Sequence, residues 1–179
     1  IAGTVVVYQQ IMHVKNREVG YNKDRLMLVW TSSDLEKNFD ALRQELTSSG
    51  FVASVCKSNS AVTRIFSHTD LEWPGKDPGL KAGFVYIATE YDYTQTLGIA
   101  MLQGRDFSRD FKSDSAALVI NEAAANLMGL EEPVGTRVKW NESDYTIIGV
   151  MQNVVMGDPY QPVGPMVMAF NPYYSSTIT

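Results

Sequence analysis

A few groups of side chains in this sequence are of the right type for chemistry, and their spacing tests what each can do. The two histidines, His13 and His68, have no second His, Cys or carboxylate at metal-ligand spacing, so neither reads as a zinc ligand. Asp106, Asp110 and Asp114 recur every four residues. A calcium loop needs its oxygen ligands in tighter alternation and a glycine at the turn, and this run has neither. Arg105, Arg109 and Lys112 interleave with these aspartates, which predicts a solvated charged surface. Glu90-Tyr91-Asp92-Tyr93 sets carboxylates beside aromatics. A glycosidase needs two carboxylates facing each other across a cleft, and neighbours in one segment do not supply that. Tyr91 and Tyr93 read as core or rim aromatics with their hydroxyls in water. Cys56 ends the apolar run Phe51–Cys56 and reads as a small buried hydrophobe; as the single cysteine it forms no intrachain disulfide. There is no Gly-x-Ser-x-Gly elbow, phosphate-binding glycine loop or dinucleotide fingerprint. The expectation is therefore no catalytic, cofactor-binding or metal-binding residue, no cofactor and no enzymatic activity. Asn141-Glu142-Ser143 fits a glycosylation sequon, a match common by chance. Trp73 and Trp140, in a loop and near a turn, read as packing residues, with partner contact as the alternative.

Those residues need elements to position them. At 179 residues, 45% hydrophobic and 20% charged, the chain is long and apolar enough to bury a core. A net charge of -5 with no dense basic patch argues against nucleic acid. Lys15, Arg17, Lys23 and Arg25 form the densest basic group and read as a solvated or membrane-proximal face. Residues Ile1 to Tyr8 are almost wholly apolar but too few to cross a bilayer. They suit either a buried strand or the outer end of a transmembrane helix.

Leu26 to Trp30 suits a buried strand. Ser33 with Glu36 reads as a capping box, and Leu35, Phe39, Leu42 and Leu46 line one face of the helix that follows. Gly50 ends it, and Phe51 to Lys57 returns as a second strand. Ser58 to Gly83 is a long connection rich in turn residues. Phe84 to Glu90 is a strand, and Tyr91 to Leu97 a short helix stopped by Gly98. Ile99 to Leu102 is extended. Ala117 to Ile120 is a strand, Asn121 the N-cap of a helix over Glu122 to Met128, and Gly129 its stop. Val138 to Trp140 and Tyr145 to Met151 form strands around the turn Asn141 to Asp144. Met166 to Phe170 is a last strand before a polar tail. The fold class is α+β.

Several segments together resemble one family. Leu97-Gly98-Ile99-Ala100-Met101-Leu102-Gln103-Gly104-Arg105-Asp106-Phe107-Ser108, Leu118-Val119-Ile120-Asn121-Glu122-Ala123-Ala124-Ala125, Glu132-Pro133-Val134-Gly135-Thr136-Arg137-Val138 and Tyr145-Thr146-Ile147-Ile148-Gly149-Val150 occur in order with close to the expected spacing. They resemble the MacB-like periplasmic core domain of ABC transporter permeases, in the FtsX-like, Bacteroidetes-type group. Val5 to Gln10 and Lys15 to Asn22 are similar to the junction after such a permease's first transmembrane helix. The resemblance moves the reading of the N-terminal stretch from strand to helix end.

The resemblance implies a β-α-β subdomain, a mostly β inserted subdomain, and a second β-α-β unit that looks truncated. The expected map is residues 1–20 as helix end and juxtamembrane junction, 21–103 as the β-α-β (porter-like) subdomain, 104–158 as the insertion, and 159–179 as return strand and truncated tail. The implied function is an extracytoplasmic domain that couples ATPase-driven helix motion to periplasmic partners or cargo, at the inner membrane and facing the periplasm. The implied partners are the rest of the permease, an ATP-binding protein, a periplasmic adaptor or exported cargo, and a second copy of the fragment, with no nucleic acid. The alternative is a cell-envelope ligand-binding module with an aromatic cleft at Trp73, Tyr91 or Trp140.

Overall fold

The structure, a computed structural model, describes residues 3–8, 12, 18–65 and 67–179. Residues 3–8 are helical (α1). The elements that follow are β1 (Val29–Trp30), α2 (Ser33–Lys37), α3 (Phe39–Ser48), β2 (Lys57–Ser58), β3 (His68–Thr69), β4 (Phe84–Thr89), α4 (Tyr93–Leu97) and β5 (Met101–Gly104). A 3-10 turn (Lys112–Ala116) then leads into β6 (Ala117–Asn121), α5 (Glu122–Met128), β7 (Arg137–Trp140), β8 (Ser143–Met151), β9 (Met166–Phe170) and β10 (Thr177–Ile178). The expected α+β class holds, as one mixed sheet with few helices.

The sheet runs β1-β10-β2-β4-β9-β6-β8-β5, with β3 paired to β4 and β7 to β8. β4 and β9 are parallel, as are β6 and β8, while β9 and β6 are antiparallel. The central strands are apolar without interruption because both of their faces are covered. Phe84, Tyr86 and Ala88 of β4, Leu118 and Ile120 of β6, and Val167 and Ala169 of β9 pack with Ala124, Ala125 and Met128 of α5. The alternate residues, Val85, Ile87, Val119, Met166 and Met168, pack with Tyr93 and Leu97 of α4 on the other side. The period-two alternation of a strand thus feeds two cores from one run.

The strand–helix–strand unit forms in a modified way. β1 and β2 are each antiparallel to β10, so they are parallel to one another with β10 between them. The helix breaks at Asn38 into α2 and α3. The cap is one residue earlier than expected: Ser32, not Ser33, accepts from the Leu35 N–H at 3.3 Å. The expected face is the packing face. Phe39 is buried against Val55 and Ile178, with Leu35, Leu42, Leu46 and Val52 around them.

Three expectations need correction. The runs 26–30 and 51–57 are not buried strands throughout: only Val29–Trp30 and Lys57–Ser58 form strands, and Met27 and Phe51 stand 75% and 96% exposed. β10 is only two residues long, and just past it Thr179 exchanges both backbone bonds with Cys56, so pairing reaches only the last residues of either run. The polar tail is not loose, since Thr177 and Ile178 are buried within the sheet. The turn after β7 is Asn141-Glu142 alone, both at positive φ (49° and 65°), and Ser143 and Asp144 already belong to β8. The long connection 58–83 also contains β3 and a bridge from Glu72 to Lys139.

Candidate functional site

The interleaved Asp and Arg residues after β5 are the densest concentration of charge chemistry, and they build a fixed loop. Gly104 has φ +65°, and a Cβ there would stand 2.2 Å from the Ile148 carbonyl oxygen, so the chain leaves β5 where only glycine fits. Arg105 then donates twice to Asp114, at 2.8 and 2.6 Å, and stacks over the Phe111 ring. Asp114 is 1% exposed and also accepts from the Ser108 N–H at 2.8 Å. Burial on its own would raise the Asp114 carboxyl, but the Arg105 guanidinium and the Ser108 N–H outweigh it and hold the group below its ordinary value. Asp106 accepts from the Phe107 N–H at 2.7 Å and from the Thr94 N–H and hydroxyl, which ties the loop to α4. Burial raises its carboxyl despite those bonds. The expected solvated surface is therefore wrong for Asp106 and Asp114. It holds for Asp110 and Lys112, which are exposed.

The second polar centre is Asn121. Its Oδ1 accepts from the Ala124 N–H (2.9 Å), capping α5, and from the Met166 N–H (2.8 Å). Its Nδ2 donates to Asn153 Oδ1 and to the Gly164 carbonyl, both at 3.0 Å. Asn153 Oδ1 also accepts from the Ala123 N–H. One buried amide thus fixes a strand, a helix start and two loops.

Glu90 is the third. It is 6% exposed and accepts from Arg43 at 3.0 Å, joining α3 to the end of β4. Burial raises its carboxyl, and Arg43 and Lys57 only partly offset this. Beside it Cys56 is wholly buried, its thiol pushed up to about 12 by burial, as suits an inert core residue.

Residues 18–22 enter the body through a clamp. The Val155 N–H donates to the Val19 carbonyl (2.8 Å), Gln152 Nε2 to the Gly20 carbonyl (2.6 Å), and the Asn22 N–H to the Leu97 carbonyl (2.8 Å). Gly20, at φ +79°, lies so close to Asn153 that a Cβ would stand 2.0 Å from its carbonyl oxygen.

Of the aromatics proposed for a cleft, Trp73 lines a pocket of about 270 Å³ with Glu72, Pro74, Val138 and Lys139, and Tyr91 and Trp140 do not line it. Trp73 packs edge-on against Phe84. Trp140 lies against Tyr86 and Tyr145 and donates from its indole N–H to Thr69 Oγ1 at 2.7 Å. Tyr91 stacks on Phe170 under Arg109. A cleft of about 280 Å³ lies elsewhere, lined by Ile65, His68, Val85, Val154, Met156 and Pro165 among others. Among the described residues no three His, Cys, Asp or Glu are grouped to hold a metal. His68 lies in β3, and His13 and the residues around it, 13–17, lie outside the described residues.

Asp106, Asp114, Asn121 and Glu90 hold loops, a helix start and a strand end on a two-faced sheet. The chain belongs to the family of MacB-like periplasmic core domains, whose model matches residues 3–173. The solved structures similar to it include two periplasmic or extracellular domains of transporters. One is the periplasmic region of MacB from Actinobacillus actinomycetemcomitans, 16% identical, with a TM-score of 0.56 over 92% of this chain and 77% of that one. The other is the extracellular domain of the noncanonic ABC-type transporter YknZ from Gram-positive bacteria, 19% identical, with a TM-score of 0.54 over 84% and 80%. At these identities the likeness is one of fold. No curated protein matches the chain. The family expected from the sequence motifs is thus the family found. Of the quoted segments, 97–108 carries β5 and the start of the Gly104–Asp114 loop, 118–125 carries the Asn121 hub, and 132–138 and 145–150 lead into and belong to β7 and β8.

Proposed function

We propose that the chain is the extracytoplasmic domain of an ABC transporter permease and couples ATPase-driven motion of membrane helices to periplasmic partners or cargo. The observation that carries this reading is the family match across residues 3–173. The clamp on residues 18–22 supports it mechanically. A displacement of the N-terminal helix would pass through Val19, Gly20 and Asn22 to the end of β8 and to α4 by hydrogen bonds rather than by a slack linker. Coupling of this kind needs rigid connections and no reactive side chain, and the domain is read as non-enzymatic. The direct partners are the remainder of the permease and, through it, an ATP-binding protein, with a periplasmic adaptor or cargo beyond. The location is the inner membrane, facing the periplasm. The proposed map keeps 1–20 as helix end and junction, 21–103 and 104–158 as the two subdomains, and 159–179 as the return. Self-association of the isolated chain is part of the same reading, and a clean monomer by light scattering at high concentration counts against it.

The test places Gly20→Ala in the whole permease with its ATPase, in membranes. The added Cβ forces the clamp apart. Transport should fall while ATP hydrolysis continues, and the isolated variant domain should still melt cooperatively. Unchanged transport per ATP would remove the clamp from the mechanism. Specific nucleotide binding by the isolated domain in calorimetry would overturn the non-enzymatic coupling role.

A further inference from the structure

Met27, Leu28, Val29 and Trp30 follow one another in the chain, and these four large apolar residues are 75%, 42%, 42% and 62% exposed. The last two form β1, which stands at the end of the sheet. β10 lies along one side of β1, and among the described residues no strand lies along the other. Paired residues of neighbouring strands share a face, and successive residues alternate. Val29 is level with Ile178, which is buried with Phe39 of α3, and Trp30 is level with Thr177. Val29 therefore lies on the helix-covered face and Trp30 on the opposite one. Apolar surface is exposed on both faces of the edge at once. A helix or a lipid surface laid on the sheet covers only one of them. A strand laid alongside β1 covers both and also meets the main-chain groups of the edge.

The edge lacks the devices that keep sheet edges apart. From Leu26 to Ser33 there is no charged residue and no proline. A second copy offers the same edge. A two-fold axis between the two sets them antiparallel, which continues the antiparallel order of β1 and β10. The first charges outside the run are unlike, Arg25 before it and Asp34 after it. The next two on each side, Asp24 with Lys23 and Glu36 with Lys37, cancel. Antiparallel pairing brings the Arg25 end of each copy to the Asp34 end of the other, where parallel pairing would set like against like.

We propose that two copies of this chain join edge to edge through β1, antiparallel about a two-fold axis, with Met27–Trp30 of each copy at the centre of the joint. The proposal rests on the self-association included in the reading above and assigns it a surface.

The test is sedimentation equilibrium of the full chain and its variants. The wild type should dimerise. M27K/L28K, which sets four like charges in the joint, should weaken the dimer about tenfold or more. F51K, at an apolar residue outside β1 that is 96% exposed, should leave it unchanged. A two-fold axis brings β1 residues close to their own counterparts, so at least one of L28C, V29C and W30C should link into a covalent dimer under mild oxidation, and F51C should not. Cys56 is wholly buried and takes no part. If M27K/L28K does not fold, the cysteine variants decide alone. Four results overturn the proposal. The wild type stays monomeric at high concentration, which also removes self-association from the reading above. The wild type stays monomeric but pellets with lipid vesicles unless Met27 and Leu28 are replaced, which assigns the edge to lipid. M27K/L28K folds and dimerises as tightly as the wild type, which moves self-association to another surface. None of the three cysteine variants links. None of these bears on transport per ATP in the whole permease, so the coupling role and this joint fail separately.

Discussion

The buried carboxylates fall into two kinds with opposite consequences for stability. Asp114 titrates below its ordinary value in the fold, so its contribution is present above the unfolded pKa and is lost as pH falls through the folded one. Asp114→Asn leaves the Arg105 fork half-paired and should cost about 2–4 kcal/mol at neutral pH in urea unfolding. A cost below about 0.5 kcal/mol would show that the pair only decorates the loop. Glu90 and Asp106 are raised by burial, so each binds its proton more tightly folded than unfolded. Each therefore adds stability as pH falls from neutrality through its folded pKa. The E90Q chain should be at least as stable as the wild type at pH 7 and should lack part of the wild type's gain on mild acidification. A less stable E90Q chain would mean that the Arg43 contact outweighs the cost of burying the charge. None of this was legible in the sequence. Arg105, Asp106 and Asp114 were visible as alternating charges, which on exposed surface are nearly neutral to stability. What buries them is the chain path set by Gly104, and that depends on the distant Ile148 carbonyl.

At the scale of elements, legibility followed local chemistry. β6, the Asn121 cap, α5 and the Gly129 stop fall where cap and stop residues put them, because those signals act within one turn. The existence of β7, β8 and their turn was equally clear. The turn's size was not, since Asn141-Glu142 closes it with both residues at positive φ. This is the geometry of a two-residue hairpin turn, in which glycine is favoured at the second position. Glu142→Gly should therefore stabilise the chain by about 0.5–1 kcal/mol, read as a rise in the urea midpoint at constant slope. A fall would show that the Glu142 side chain makes an overriding contact. The runs 26–30 and 51–57 were overread for the opposite reason. Apolar composition says that a segment can be a strand, but its length depends on what lies beside it, and β10 supplies two residues.

At the scale of the molecule, the core is divided unequally. The two faces of the central strands carry large clusters, whereas α3, Val55 and Ile178 share a small one. Native-state hydrogen exchange should show it: the Cys56 and Thr179 amides should exchange about tenfold or more faster than those of β6. Equal rates would indicate one cooperative unit. The central strands could be read from composition, since uninterrupted apolar runs imply cover on both sides. The place of β10 could not, because Thr177-Ile178 carries no signal that distinguishes it from a polar tail. That insertion has a consequence for how the protein is made. β1 and β2 lie early in the chain but touch only through a strand about 150 residues later than β1. As the polypeptide emerges from a ribosome, its first helices must wait beside β1, which has no partner until residues 177–178 arrive, and beside β2, which until then is paired only to β4, so a chaperone or a nascent neighbour has its longest opportunity there.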